Sequence, residues 1–383
     1  MSQQTFVYDP ATEQFHNEMH AVYQTLRDEY PVYVAPNGAY VLSRFDDVWA
    51  AVHDWASFSS AGVAEAAELR PQMIYMDPPD HTSLRSLVSR AFTPKRVADL
   101  EPRIRTVADQ LLTRVARTGS FDLVHEFASP LPSTVMSDLI GVPDEHREAF
   151  RGWIEAFLEV TSPEDIAGRA TNIYTLFGSL LAERRRSPAD DLMSALLAAQ
   201  ASSDSLSDDD LLGFCFLLLV AGNDTTTSLI SNGAELLVRH KAQRAELAGD
   251  PSLIPAAVEE MVRIESPTQA LSRTATRDVE LHRMTIPAGS RVMLLWGSAN
   301  LDDREFVDPE RFDIHRSPSR HLGFGHGIHV CLGAALARLE SRVAFEELLA
   351  RMPEYELDGE PERYVSNWAR AWRFLPLACG SAR

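Results

Sequence analysis

The chain has 383 residues, 45% of them hydrophobic and 24% charged, and 36 basic against 55 acidic side chains leave a net charge of −19. A chain of this length buries a large core unaided, and Cys215, Cys331 and Cys379 are too few and too far apart for a disulfide framework, so a reducing, cytoplasmic setting is expected. The acidity repels nucleic acid, Met1 to Phe6 lacks the basic and apolar regions of a signal peptide, and the most apolar run, Phe214 to Ala221, is shorter than the ~20 residues of a membrane span.

A hairpin comes first. Val32 to Val34 and Ala39 to Leu42 flank Pro36-Asn37-Gly38, and Asn-Gly between short apolar runs favours a tight turn, giving a small β-rich part over about 30–45. Residues 81–265 read as a helical core, with helices over Val97–Val115, Glu145–Val160, Ile166–Arg186 and Asp190–Ala201 separated by Pro and Gly. A long helix opens at Ser207, an N-cap followed by three aspartates that complement the helix dipole, and runs to about Leu237. Its first half is apolar nearly all round, which predicts burial. Strands are expected over Arg273–Leu281 and Arg291–Trp296, then an irregular stretch, Asn300–Phe324, and a last helix from about Cys331 to Met352. No repeat or long linker divides the chain. The fold class is therefore mainly α with a small β portion, one compact domain over 1–383, although length alone would allow two or three.

The segment richest in chemistry is Phe324-Gly325-His326-Gly327-Ile328-His329-Val330-Cys331-Leu332-Gly333. Its glycines permit a tight backbone path, and a cysteine at a helix N-terminus is favoured as thiolate. Gly333, Ala334, Ala335 and Ala337 then leave room for something broad and flat, and a soft anionic sulfur there suits a haem iron. Other readings of the same residues stand beside it. A lone cysteine is commonly a small buried hydrophobe; a Gly-rich turn can cradle phosphate, although no P-loop or dinucleotide fingerprint is present; and His321, His326, His329 and Cys331 could be drawn as a zinc site, against the usual paired spacing. Local chemistry alone leaves packing, haem thiolate and zinc comparable.

The ten-residue stretch resembles the haem-binding signature of the cytochrome P450 superfamily in its Phe, Gly, Gly, His, Cys and Gly positions, and further motifs follow in the family's order from about residue 75 to the C-terminus, most like the soluble bacterial members. The resemblance implies haem b (iron protoporphyrin IX) with Cys331 as axial thiolate, in the loop 324–333 with Phe324 and Gly333. Ala221-Gly222-Asn223-Asp224-Thr225-Thr226, inside the long helix, resembles the family's oxygen-activation motif. It implies that Asp224 relays protons, that Thr225 helps deliver the proton that splits the O–O bond, and that Ala221 and Gly222 leave room above the iron. On residue chemistry alone, threonines here could simply bond back to the helix backbone.

Glu260 and Arg263, one helical turn apart, form an ordinary i, i+3 pair by themselves. The resemblance joins them with Arg311, from Pro309-Glu310-Arg311-Phe312, in a structural network under the cysteine loop. It also implies that His81, Arg85, Arg273 and His329, each an ordinary surface residue by type, hold the haem propionates, whose buried carboxylates need charge-assisted partners. Residues 85–105 carry Arg85, Arg90, Lys95, Arg96, Arg103 and Arg105 against Asp99 and Glu101. By type this is a solvated helix face; the resemblance implies a docking surface for an acidic ferredoxin (with its reductase) or a flavodoxin-type donor, extended by Arg338 and Arg342.

What the resemblance implies is a monooxygenase that takes O2 and two electrons from a separate redox partner and hydroxylates or epoxidises an apolar small molecule. The alternatives are a peroxide-driven oxygenase with the same ligation and a non-catalytic haem carrier or sensor. Residues 62–76, 153–175, 217–225, 267–271 and 366–372, with Met73, Phe157, Gln269, Leu271, Trp368 and Trp372, are expected to line the pocket. Cys215 and Cys379 are read as packing.

Overall fold

A computed structural model of the chain describes residues 6–61, 69–158, 163–201, 207–318 and 320–379, with side chains for all of these except 151, 154–158 and 163–169. The first helix, α1 (Glu13–Glu29), starts where the Thr12 side chain accepts the Phe15 N–H, and it buries Phe15, Met19, Tyr23 and Leu26. The expected hairpin follows as β1 (Val32–Val34) and β2 (Tyr40–Leu42), with Gly38 at φ +83° in the turn. After α2 (Phe45–His53) and β3 (Phe58–Ser59) come α3 (Asp80–Ala91), α4 (Pro94–Ala98) and α5 (Glu101–Val115). One helix was expected over Val97–Val115. Two form because Pro102 in the first turn of α5 has no N–H with which to continue α4.

Strand β4 (Ser120–Asp122) leads to α6 (Pro130–Ile140), α7 (Asp144–Leu158), α8 (Pro163–Arg186) and α9 (Leu192–Ala201), close to the expected bounds; the end of the helix expected to reach Val160 lies outside the described residues. The long helix is α10 (Asp208–Arg239). Ser207 caps it as read: its hydroxyl accepts the Asp210 N–H while the Asp210 carboxylate accepts the Ser207 N–H. At 32 residues it is roughly 48 Å long. It is long and apolar enough to cross a membrane, yet 72% of its most apolar window is buried inside the protein, against α6, α8, α12 and α14.

Helices α11 (Lys241–Gly249) and α12 (Ile254–Ile264) precede the second β portion. The single strand expected over Arg273–Leu281 is two, β5 (Ala270–Ala275) and β6 (Val279–Leu281), with β6 turning back onto β7 (Met284–Ile286). Strand β8 (Arg291–Leu295) runs between β5 and β2, completing a five-stranded sheet in the order β1-β2-β8-β5-β3. The short α13 (Trp296–Ala299), the irregular 300–324 and the cysteine loop lead to α14 (Ala334–Arg351). The chain closes with β9 (Tyr355–Leu357), the paired β10 (Glu362–Arg363) and β11 (Trp372–Phe374), and β12 (Pro376–Cys379), which joins β4 and β9.

Helix α14 buries an acidic side chain. Glu340 is 1% exposed, and its Oε1 has no partner among the described residues. Burial pushes its carboxyl up to about 8, so at neutral pH it stays protonated.

Candidate functional site

The cysteine loop is shaped by contacts that require its glycines. Gly325 and Gly327 have φ of +63° and +67°, and a Cβ at Gly327 would come within 2.3 Å of the Val52 carbonyl oxygen at the end of α2. The Cys331 N–H donates to the Phe324 carbonyl at 2.9 Å, which closes the loop on itself. Cys331 lies three residues before α14 rather than within it, because the helix begins at Ala334. Burial pushes its thiol above the usual value; the Gly333 N–H, Arg85, Arg338 and the Ala334 N–H pull the other way. Deep as it lies, Cys331 keeps accessible surface, as do the half-buried Phe324 and Gly333 beside it.

A second set of groups surrounds this loop. His81 and Arg85 of α3, Arg273 of β5 and His329 of the loop come from distant stretches, yet the His81 and His329 ring centroids are 4.4 Å apart. His81 is 2% exposed and neither ring nitrogen has a partner among the described residues. Burial, then His81 and Arg273, push the His329 imidazolium down to about 3, with its Nε2 3.0 Å from the Ser60 hydroxyl. Burial pushes Arg273 down to about 10, and lowers His81 together with Arg85. Asp77 is the acid that opposes these shifts at His81, Arg273 and His329. Two guanidinium cations and two imidazoles, buried or half-buried, thus gather around unmet hydrogen-bonding capacity at His81, the donor pattern of a site for carboxylates. Arg85 Nη2 donates to the Val330 carbonyl at 2.7 Å, adjoining Cys331. The donor set fits a haem: a sulfur for the metal and buried cations for two propionates.

Helix α10 carries the third group. Ala221 is exposed and Thr225 half-buried in the middle of a helix otherwise buried from Leu211 to Leu237 over most positions. Thr225 Oγ1 donates to the Ala221 carbonyl at 2.8 Å, Thr226 to Gly222 at 3.2 Å and Ser228 to Asp224 at 2.7 Å. Back-bonding, expected at Thr226 or Thr227, is formed by Thr226 and shared by Thr225, whereas Thr227 Oγ1 donates to the Ala128 carbonyl at 3.3 Å. Asp224 is buried, and its Oδ1 accepts from Asn223 Nδ2 at 3.3 Å. Gly222 does not open the same space: a Cβ there would meet Met136 Cε at 2.5 Å, so Met136 of α6 fills that side.

The supporting network differs from expectation in one member. Glu260 and Arg263 are fully buried and joined by two bonds, Arg263 Nε to Oε2 at 2.7 Å and Nη2 to Oε1 at 2.8 Å. The third member is Arg316, whose Nε reaches Glu260 Oε1 at 3.0 Å. Arg311 instead leaves the turn at Asp308 with its side chain 70% exposed, 3.8 Å from Asp313. Arg263 Nη1 donates to the Asn300 carbonyl at 2.7 Å, and Asn300 Oδ1 accepts the Leu322 N–H at 2.7 Å, which ties the network to the entry of the cysteine loop.

The basic stretch is mostly spent on neighbours. Arg103 pairs with Asp138, Arg105 with Glu101, Glu346 and Glu347, Arg342 with Glu101 and Glu346, Arg338 with Glu259, and Arg96 with Asp190. Arg90 and Lys95 are exposed and have no ion pair among the described residues. The zinc arrangement is not formed: His321 bonds Glu259, His326 bonds His53 and His329 bonds Ser60, and no group of three metal-ligating side chains occurs among the described residues.

The expected pocket lining is changed too. Gln269 is held by Tyr23 and Ser266 and so offers no free polar group, while Trp372 lies 3.5 Å beneath the Arg363 guanidinium with its Nε1 unpartnered among the described residues. Met73 is buried, Leu271 half-buried and Trp368 exposed. Residues 62–68 and the Phe157 side chain lie outside the described residues.

Comparison with known proteins gives a consistent assignment. The family model "Cytochrome P450" matches residues 250–352. The chain is 43% identical over 361 residues to cytochrome P450 130 of Mycobacterium tuberculosis, covering 88% of each. It is 41% identical to the vitamin D(3) 25-hydroxylase of Pseudonocardia autotrophica, over 96% of this chain and 95% of that one. The solved structure of cytochrome P450 CYP109Q5 from Chondromyces apiculatus superposes with a TM-score of 0.91 at 38% identity, covering 98% of this chain and 99% of that one.

Proposed function

The chain belongs to the cytochrome P450 family, whose members are haem-thiolate monooxygenases, and on that premise we infer that it oxidises an apolar small molecule with O2 and electrons from a separate ferredoxin- or flavodoxin-type donor. Residues 1–383 are read as one domain, an assignment supported by a core that runs from Tyr8 to Leu377. A cytoplasmic setting agrees with three free cysteines.

The observation that carries the reading is the conjunction of an exposed Cys331 with the His81, Arg85, Arg273 and His329 set, in which neither His81 nitrogen has a partner among the described residues. Cys331 would hold the iron, those four the propionates, with Phe324 and Gly333 beside the sulfur and Ala221 on α10. Bound there, haem supplies the activation of dioxygen that inserts one oxygen atom into substrate and reduces the other to water. The protein's part is positioning and proton traffic. Thr225 Oγ1 keeps its proton on the Ala221 carbonyl and offers lone pairs toward the exposed side of the helix. Rotation off Ala221 lets that hydroxyl donate, and Asp224 one residue back can resupply the proton. A positioned proton donor is worth roughly 10²–10⁴ in rate.

Turnover driven by NAD(P)H, reductase and ferredoxin, and absent with peroxide alone, is the expected result. In that assay Thr225→Ala should lower product formed per electron consumed by about tenfold or more, with the lost electrons appearing as peroxide or water. Equal coupling in variant and parent removes Thr225 from the reaction. The pair Asp224–Thr225 favours this reading over the peroxide-driven and carrier alternatives, where a proton relay has no task.

Electron-donor docking should be only weakly salt-dependent for a basic surface, because most of its arginines are neutralised in place. Arg90→Glu should slow ferredoxin reduction by about threefold to tenfold at low salt. Arg96→Glu acts on an already paired residue and confronts Asp190, so its effect on docking should be smaller. Stopped-flow reduction across a salt series measures both; equal slowing by the two variants contradicts the charge map.

A further inference from the structure

We propose that Arg338 is a positioning residue for the haem thiolate: pinned by Glu259 and laid over Phe324, it holds a fixed positive charge beside Cys331 and raises the reduction potential of the bound haem. The inference rests on the haem-thiolate reading above.

Three elements build the device. Glu259 of α12 receives Arg338 in a fork, Nε to Oε1 at 2.6 Å and Nη2 to Oε2 at 2.9 Å. The same carboxylate accepts from His321 Nε2 at 2.9 Å. The His321 tautomer follows from its other contact: Nδ1 lies 3.2 Å from the Gly323 N–H and must accept, so the ring proton is on Nε2 and points at Glu259. His321 is 6% exposed on its side chain, so this is an interior brace. Burial opposes ionisation of Glu259, but the bonds from His321 and Arg338 hold its carboxyl down to about 2. It therefore stays charged and keeps its grip on Arg338 through the physiological range.

So held, the guanidinium carbon sits 4.3 Å from the Phe324 ring centroid. Phe324 in turn takes the Cys331 N–H on its carbonyl. Arg338 thus lies against the residue that closes the loop on Cys331, and its charge favours the Cys331 thiolate against the effect of burial. Like Arg103, Arg105 and Arg342, Arg338 is paired with a carboxylate of a neighbouring helix, but it is also laid on the loop's own aromatic ring. Adding an electron to the iron–sulfur unit adds negative charge, and a fixed cation nearby stabilises the reduced form. The side chain is 44% exposed, so solvent screens the effect and its size is modest.

The test is a dye-mediated redox titration of the haem-loaded protein with no protein donor present, so that docking cannot contribute. Arg338→Gln and Arg338→Met, which both remove the charge, should shift the one-electron equilibrium toward the oxidised form by about three- to tenfold, up to about 59 mV. Arg338→Lys, which keeps the charge and loses the fork, should stay within about threefold of the parent. Unchanged potentials in the charge-free variants, or an equal fall in the lysine variant, overturn the proposal. If the parent lacks a thiolate-type ferrous CO spectrum, the haem-thiolate reading itself has failed; a normal parent spectrum with unmoved potentials rejects only the role of Arg338.

Discussion

Arg263→Ala should leave almost no recoverable haem protein. The substitution strands the Glu260 carboxylate, fully buried, with Arg316 as its one remaining cation among the described residues. It also removes the donor to the Asn300 carbonyl, and Asn300 holds the Leu322 N–H at the entry to the cysteine loop. Breaking a buried pair from one side costs about 3–5 kcal/mol, against a total stability of about 5–15 kcal/mol for a folded protein. Arg311→Ala is the control: its side chain is largely exposed and should change stability by about 0.5 kcal/mol or less. Thermal midpoints and haem content of the two variants check the claim. A loss in Arg311→Ala matching that in Arg263→Ala would return Arg311 to the network and displace Arg316.

Cys331→Ser should abolish the red-shifted Soret band of the reduced carbon monoxide complex while leaving the fold intact. Serine changes one atom, and the Cys331 N–H bond to Phe324 involves the backbone alone. The sulfur contributes no disulfide, so its loss falls on metal ligation rather than on folding. The spectrum should change completely and monooxygenase turnover should fall to background, since thiolate electron donation assists O–O cleavage. Circular dichroism separates this from unfolding. A surviving thiolate-type band in the variant would mean that another group holds the iron.

How far the chain could be read depended on the range of the interactions. The hairpin at Asn37-Gly38 and the cap at Ser207 are local, and each is written in a few adjacent residue types. The path of the cysteine loop is local as well, since the positive φ of Gly325 and Gly327 calls for glycine, although the Val52 carbonyl that crowds Gly327 comes from a distant segment. Features built by distant segments were not legible. Whether Arg311 or Arg316 turns inward is decided by the path of 300–324, which has little regular structure to give it a period. The basic stretch reads as a free patch until Glu346, Glu347 and Asp138 are folded against it. Gln269 reads as a polar pocket group because the Tyr23 hydroxyl that occupies it is 246 residues away. The second strand of the pair β5 and β6 was missed for a shorter-range reason, since the bend near Asp278 interrupts an otherwise continuous β pattern.

The buried acid in α14 has a calorimetric consequence. At pH 7 the folded chain retains the Glu340 proton, whereas the same side chain, near 4.5 when solvated, has released it in the unfolded chain. Folding therefore takes a proton from the buffer between pH about 4.5 and 8, and the Glu340 contribution to stability declines as pH climbs through that interval. The heat of unfolding should then vary with the ionisation enthalpy of the buffer, differing between phosphate and Tris at one pH.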